Sequence, residues 1–311
     1  MGITCRIIFC RRESVYFDST CPRVLIRYRL KTRIAVLIGG AGIIQPVSNL
    51  LAGFRLLVAG WRMRTAVKEA MILSGTPPTF GQVMSALLLP VWLRETETSG
   101  TTVINYGTAG ATLNGTWTPG AGAQGQTDAL GPNEAYLFDG LNSLITLPSN
   151  ALINGLQAAT YIYLVRATSA GEGSSARLYD TNTDTDGIHI NSASLDLRCT
   201  FAGTGAVTTV TNTGFLSLAV NTVLFVTYAF SGDFKARFYK SETGVVSEAT
   251  YASQTAGSGT KTAEPFTKAF GNRLGQSRTW AGLIGEIAIA DYVLSLDQMT
   301  AIAQAVARGI P

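Results

Sequence analysis

The sequence predicts a mainly β protein: a two-sheet antiparallel sandwich that ends in one helix and follows a partly helical N-terminal arm. Of its 311 residues, 46% are hydrophobic and only 14% are charged, whereas about 25% are charged in typical globular proteins. This composition provides a large core and excludes a disordered chain. Short segments of alternating apolar and polar residues recur between turns, with no helices between them. That pattern favours an antiparallel sandwich.

Charge divides the chain into two unequal parts. Residues 1–70 carry 12 Lys or Arg and 3 Asp or Glu, a net charge of +9, whereas residues 71–311 carry 12 and 17, a net charge of −5. We therefore predict a basic, partly hydrophobic arm over residues 1–62, ahead of an acidic body. The arm could bind nucleic acid, anionic lipid or an acidic partner surface. It could equally be a solvated tail, or a stretch upstream of the true start.

Residues 34–54 of this arm are uncharged, and Arg33 and Arg55 flank them. That length could cross a bilayer, but four glycines, Pro46 and neighbouring polar residues weaken it. We favour a short buried or oligomerising hairpin over a membrane span. The run also begins too late for a signal peptide and lacks a clear cleavage site.

A helical docking segment is predicted at residues 63–89, because Met63 opens an amphipathic pattern. The sequence leaves open whether translation starts at Met1 or Met63. The remaining residues, 90–311, form the predicted sandwich domain. Its strands are predicted at 143–148, 160–167, 223–230, 234–240 and 285–290.

Residues 234–240 give the clearest strand, because they alternate strictly. A turn at 231–233 joins them to the preceding strand as a hairpin. The C-terminal helix begins at Ser295, where Gln298 completes a capping box, and it stops near Gly309. We expect this helix to pack on the edge of the sandwich through an apolar stripe made of Leu296, Met299, Ile302, Ala303 and Val306.

Four motifs in this order resemble laminin-G-like domains of the concanavalin A-like lectin and glucanase family. The resemblance covers residues 90–308 and leaves the arm outside. The motifs are WLRETETSGTTV (92–103) with the turn LNGTW (113–117), FDGLNSLI (138–145), VLFVTYAFSGD (223–233) and GLIGEIAIADYVLS (282–295).

This resemblance implies a jelly-roll sandwich of a type found in extracellular glycan-binding proteins and in tail, fibre and decoration proteins of bacteriophages. We expect a non-enzymatic virion structural protein, on the virion or extracellular, that assembles with other virion subunits as a homo-oligomer and contacts a cell-surface glycan. The alternative is a secreted or membrane-anchored glycan-binding module of a bacterial surface. Specific nucleic-acid recognition is not expected, because the body is acidic.

Catalysis is not predicted. Glucanases of this fold carry closely spaced carboxylates on one strand face, whereas Glu286 and Asp291 are five positions apart and so point to opposite faces. The single histidine, His189, alternates with isoleucines and is expected at the surface.

No cofactor is predicted other than a structural calcium ion. The segment Asn182–Gly187 matches half of a calcium-loop pattern, but Ala193 stands where the loop needs glutamate, so a turn without an ion is favoured. The resemblance implies a second place for calcium, at Asp139 and Glu286. This sequence has Gly285 where the family often has aspartate.

A glycan site is predicted in the loop before the last strand. Trp280 could stack on a sugar face, while Asn272, Gln276 and Arg278 hydrogen-bond its hydroxyls. The alternative is that Trp280 is buried beneath the loop.

Overall fold

The computed structural model describes residues 77–94, 99–126, 130, 134–181 and 186–309. Predictions about residues 1–76 lie outside this part of the chain. Among the described residues, no helix is long and apolar enough to cross a membrane. The prediction of a mainly β chain with antiparallel sheets and a C-terminal helix is confirmed.

Nineteen strands and two α-helices make up the described chain. Their bounds, in chain order, are α1 Phe80–Ala86, β1 Val91–Arg94, β2 Thr102–Val103, β3 Gly115–Thr118, β4 Ala123–Gln126, β5 Ala135–Asp139, β6 Leu144–Leu147, β7 Ala158–Ala167, β8 Arg177–Thr181, β9 Gly187–Ile190, β10 Leu197–Phe201, β11 Gly203–Gly205, β12 Val207–Thr211, β13 Thr222–Ala229, β14 Ala236–Ser241, β15 Ser247–Glu248, β16 Tyr251–Thr255, β17 Ser258–Lys261, β18 Lys268–Phe270, β19 Ala281–Ala290 and α2 Leu296–Ala307.

The strands form two large antiparallel sheets. The eight-stranded sheet has the order β15-β14-β13-β7-β19-β5-β4, with β1 also paired to β19. The nine-stranded sheet has the order β16-β12-β10-β9-β8-β18-β6-β3-β2, and β11 and β17 form a separate pair. The strands β8, β9 and β10 follow one another in both the chain and the sheet, whereas β18 comes from a distant part of the sequence and pairs with β8.

The central strand β7 shows how the two large sheets stack. Its side chains alternate between two hydrophobic clusters, as a strand buried on both faces requires. Tyr161, Tyr163 and Val165 belong to the cluster between the sheets, whereas Ile162 and Leu164 belong to the cluster beneath the helices. The eight-stranded sheet is therefore covered on both faces, by the other sheet on one side and by α1 and α2 on the other.

The helices pack on the outer face of the eight-stranded sheet and not on its edge, where we expected α2. Met299 and Ile302 of α2 and Phe80 and Met84 of α1 are buried in the cluster that contains Ile162. Ile162 and Leu164 are the apolar residues that β7 presents on this face, and apolar side chains of the helices cover them. Each helix begins with a capping box, and the one predicted for α2 is confirmed.

The predicted strands are confirmed where the structure describes them. Residues 160–167 lie in β7, between β13 and β19. The predicted hairpin is formed by β13 and β14, which pair with Val226 opposite Phe238. Residues 285–290 are the second half of β19, and β6 lies within 143–148.

The long strand β19 pairs along one side with two short strands, β5 and β1. A bulge at Gly285 separates the two pairings. Ala281–Ile284 pairs with β5 and Glu286–Ile289 pairs with β1. The extra residue reverses the alternation, so Ile284 and Ile287 both face the cluster between the sheets.

Glu286 lies beside this bulge, and only 2% of its surface is exposed. Its Oε2 accepts a hydrogen bond from the indole Nε1 of Trp92 at 2.6 Å, and its Oε1 lies 3.4 Å from Nε of Arg94. Both partners are on β1, directly opposite this part of β19. The buried carboxylate therefore links the first strand of the described sandwich to the last.

Replacing Glu286 by Ala should lower the free energy of unfolding by about 3 kcal/mol, because it removes a buried ion pair with Arg94 and the acceptor of the Trp92 indole. Chemical denaturation followed by tryptophan fluorescence measures this. The conservative change Glu286→Gln keeps an oxygen acceptor for Trp92 and should cost less. As a control, Glu248→Ala removes an exposed carboxylate, whose ion pair to Arg237 should contribute at most about 1 kcal/mol. Equal losses for Glu286→Ala and Glu248→Ala would contradict the linking role of Glu286.

Candidate functional site

The candidate site lies on the outer face of the nine-stranded sheet, where β8, β9 and β10 are adjacent. The inward positions of β9 and β10, such as Ile188 and Cys199, are buried in the core between the sheets. Residues at alternating positions therefore face outward. The register places Arg177 opposite His189, and His189 opposite Arg198, so these three side chains form one row across three strands.

A second outward row runs beside the first. Asp180 of β8 lies opposite Gly187 of β9, which lies opposite Thr200 of β10. Arg177 and Asp180 are three positions apart, and a bulge between Arg177 and Tyr179 puts both on the same face.

The two rows enclose a depression of about 210 Å³ that is open to solvent. Gly187 has no side chain, and a Cβ at this position would lie 3.5 Å from Nη1 of Arg177, so the guanidinium lies over this glycine. We call this feature the arginine depression. It is lined by Arg177, Gly187, His189, Arg198 and Thr200.

Two more arginines reach this region from the loop between β18 and β19. Nε of Arg273 lies 3.2 Å from Oδ2 of Asp180, and Nε of Arg177 lies 2.9 Å from the same oxygen. The backbone carbonyl of Arg278 accepts a hydrogen bond from the backbone N–H of Arg177 at 2.9 Å. A single buried carboxylate thus holds two guanidinium groups at the rim.

Burial, and then the positive charges around the depression, keep His189 unprotonated. Burial, together with the charges of Arg177, Arg198 and Arg278, lowers the pKa of His189 to about 3. The imidazole is therefore neutral at physiological pH. Its Nδ1 is buried and has no hydrogen-bond partner among the described residues. A neutral imidazole can donate one hydrogen bond and accept another.

Burial also lowers the pKa of Arg177, and the neighbouring Arg273, Arg278 and Arg198 add to that effect, although Asp180 opposes it. The guanidinium groups thus repel one another where they meet. An anion placed among them would reduce this repulsion.

The residues predicted for glycan binding occupy different places. Asn272 is fully buried and organises the loop: its Oδ1 accepts from the backbone N–H groups of Arg273 and Arg278, and its Nδ2 donates to the Ser143 carbonyl and the Thr279 hydroxyl. Gln276 is exposed at the loop tip.

Trp280 is also fully buried, and it packs in the core between the sheets. It offers no face on which a sugar could stack, so the stacking role predicted for it does not fit the structure. Of the four predicted residues, Gln276 and the half-buried Arg278 remain accessible, and Arg278 lies near the arginine depression.

The two predicted calcium ligands are not brought together. Asp139 lies opposite Ala281 in the pairing of β5 with β19, five residues from Glu286, or about 16 Å along the strand. Asp139 accepts hydrogen bonds from the backbone N–H groups of Leu141, Asn142, Ser143 and Ala121. Although burial raises its pKa, these donors lower it to about 2.

Each of these carboxylates thus already has protein donors in place of a metal ion. Among the described residues, no group of three or more His, Cys, Asp or Glu is placed to hold a metal. In the calcium-loop segment the structure describes Asp186 and Gly187 alone. Asp186 is buried, and its Oδ2 lies 2.6 Å from Nζ of Lys261, which also lies 2.8 Å from Oε1 of Glu264, so the two carboxylates share one ammonium group.

The arginine depression was missed at the sequence level, although one signal for half of it was present. His189 and Arg198 are outward positions on two apolar strands that a short turn connects, so a hairpin would pair them. Arg177 gave no such signal, because the bulge after it shifts the alternation.

Comparisons with known proteins support the fold. No protein-family model and no curated protein matches this chain. Trypanosoma rangeli sialidase, in complex with the inhibitor DANA, is 12% identical with a TM-score of 0.50 over 81% of this chain and 38% of that one. The botulinum neurotoxin serotype D binding domain is 8% identical with a TM-score of 0.49 over 70% and 52%. The binding domain of Paraclostridial Mosquitocidal Protein 1 is 12% identical with a TM-score of 0.48 over 69% and 51%.

The match spans about a third to a half of the length of these structures. At such low identity the likeness shows the fold alone. None of the three matches links the chain to a bacteriophage.

The imidazole of His189 should show no titration between pH 5 and 8. Because this is the only histidine in the chain, its ring protons can be followed by NMR without assignment of other histidines. An inflection near the ordinary pKa of about 6.5 would contradict the burial and the arginine neighbours described above.

The lowered pKa of His189 also makes the stability of the fold depend on pH. With a folded-state pKa of about 3, the unfolded chain takes up a proton on His189 below about pH 6.5 that the folded chain does not. This group therefore destabilises the fold progressively as the pH falls towards 3. His189→Gln should remove that part of the acid sensitivity.

Proposed function

We propose that this chain is a non-enzymatic carbohydrate-binding module, and that a bacteriophage virion protein presents it towards a cell surface. The observation that carries the proposal is the arginine depression on the open face of a lectin-like sandwich. It combines charged donors with a neutral imidazole and a hydroxyl, the kinds of polar group that fix a sugar in place.

Binding is favoured over catalysis by the groups at this site. Glycoside hydrolysis ordinarily needs two carboxyl groups on either side of the scissile bond. The described residues that line the depression contribute no carboxylate, and the adjacent Asp180 is paired with Arg177 and Arg273. His189 is neutral and held so by its neighbours, which makes it a poor proton donor at neutral pH.

A glycan array probed with the intact chain tests the proposal, with Thr200→Trp as the variant. The indole would fill the depression, so binding should fall at least about tenfold. Thr116→Trp is the matched control, because Thr116 is exposed on β3 of the same sheet, four strands from β9 and so about 19 Å away. It should bind like the parent.

The glycans that bind should be recovered uncleaved after prolonged incubation. Release of a shorter product, lost in Thr200→Trp, would overturn the non-enzymatic assignment. Absence of binding to every glycan would overturn the binding function itself.

The virion context rests on the sequence resemblance to phage tail, fibre and decoration proteins and on the low charge of the chain. An uncharged stretch such as residues 34–54 would be adhesive in water, and burial against other subunits would remove that exposure. The alternative is a secreted or membrane-anchored module of a bacterial surface.

For a virion component, we expect the chain among the proteins of purified phage particles and as a homo-oligomer in solution. Mass spectrometry of particles tests the first expectation. Sedimentation at micromolar concentration, without detergent, tests the second and should give a species well above the 32.9 kDa of one chain. A monomer that is found only in bacterial membrane or secreted fractions would favour the alternative.

A further inference from the structure

We propose that residues 63–76 pack on the outer side of α1 and α2 and cover an exposed apolar patch formed by Leu88, Val293 and Leu296. We call these three residues the helix-end patch. The inference concerns the helical layer and does not depend on the proposed glycan binding.

The helix-end patch lies where α1 ends and α2 begins. The hydroxyl of Tyr292 donates a hydrogen bond to the backbone carbonyl of Leu87 at 3.1 Å. Leu88 and Val293, the next residues along the chain, therefore lie at the same end of the helical layer as Leu296, the first residue of α2. Leu88, Val293 and Leu296 are 36%, 44% and 57% exposed. Exposed apolar side chains that occur together, and not singly, mark a surface that another element contacts.

Leu88 also departs from a local backbone preference. It follows Leu87, the C-cap residue of α1, at a position where helices commonly place a glycine in the left-handed conformation. Leu88 adopts that conformation, with a φ of +54°, although it is costly for a residue with a Cβ. In water glycine would suit this position better. A leucine here is favoured when its side chain is covered.

The chain enters α1 from the opposite end of the helical layer. Nη2 of Arg308, which follows α2, donates a hydrogen bond to the backbone carbonyl of Pro78 at 3.1 Å, so α1 and α2 run antiparallel. A helix over residues 63–74 would be about 18 Å long, the same length as the twelve residues of α2. If the chain reverses at 75–78, where prolines interrupt a helix, such a helix runs back along α1 and α2 and reaches the helix-end patch.

The sequence of this segment has the apolar face that the position requires. Met63, Val67, Ala70 and Met71 recur at the spacing of one side of a helix. Met63, at the start of the segment, would lie at the end that meets the helix-end patch. The segment therefore offers apolar side chains along its length and a methionine, which adapts its shape to irregular surfaces, at the patch itself.

The charges around the patch favour this occupant. Asp291 and Asp297 are exposed on either side of the patch in sequence. The segment carries Arg64 and Lys68 against a single acid, Glu69, and its reversed direction brings Arg64 to the acidic end of the helical layer. Opposite charges then meet there. An anionic membrane is a poorer occupant, because the two aspartates would repel it.

Limited digestion of the full chain with trypsin tests the inference, because trypsin cleaves after Lys68 when the packed helix opens locally. Leu296→Gln hardly changes helix propensity but removes an apolar side chain from the proposed contact. Cleavage at Lys68, followed by mass spectrometry, should become at least about fivefold faster than in the parent.

Leu218→Gln is the matched control. Leu218 is 51% exposed, similar to Leu296, but lies in the turn before β13. This substitution should leave the rate of cleavage at Lys68 unchanged.

A second substitution identifies the occupant of the patch. Met63→Gln should also speed cleavage at Lys68, because it removes the side chain that meets the patch. Leu296→Gln added to Met63→Gln should have little further effect, since both remove the same contact.

The contrary outcomes differ from one another. Cleavage of Leu296→Gln at the parent's rate would show that the patch lies in water, and rapid cleavage of the parent itself, as in the unfolded chain, would show that the segment is not packed. Additive effects of Met63→Gln and Leu296→Gln would mean that something else covers the patch. Protection that is lost on dilution would mean that the segment comes from a second copy. Each of these results overturns the inference and leaves the proposed glycan site untouched.

Discussion

A buried carboxylate that joins the two ends of the sandwich is the constraint on which the rest of the structure depends. Transferring an ionised carboxylate out of water is costly unless hydrogen bonds and a counter-charge replace the water. Glu286 obtains both from β1, through Trp92 and Arg94. This requirement fixes the register of β1 on β19. Trp92 also belongs to the hydrophobic cluster beneath α1 and α2.

The fold could be predicted from the sequence because its signals are local. Strict alternation of apolar and polar residues indicates that β14 is buried on one face. A run of β-branched and aromatic residues indicates that β7 is buried on both faces. The capping box at Ser295 marks the start of α2 in the same way. The face against which α2 packs could not be predicted from the helix alone, since it depends on the apolar residues Ile162 and Leu164 of β7.

The site was harder to predict because it is created by pairing between strands. Arg177, His189 and Arg198 are ordinary surface residues until the sheet register places them in one row. For the loop at 272–280 the sequence predicted a binding site that the structure does not form with all four residues. Its polar and aromatic composition resembles that of a glycan site, but Asn272 and Trp280 are buried by the loop they stabilise. Composition does not reveal burial, and the backbone N–H groups that Asn272 satisfies are invisible in a sequence.

The layered arrangement has a further consequence for attachment. The helices cover one side of the eight-stranded sheet, and the arginine depression opens on the far side of the other sheet, so each domain presents one small binding face in one direction. In the proposed function, a depression of about 210 Å³ would take only a small part of a glycan, and such single contacts would be weak. Firm adhesion would then come from avidity, in which several copies held in parallel engage a repetitive polymer together. Copies whose binding faces pointed in different directions could not engage the same polymer together and would show no avidity.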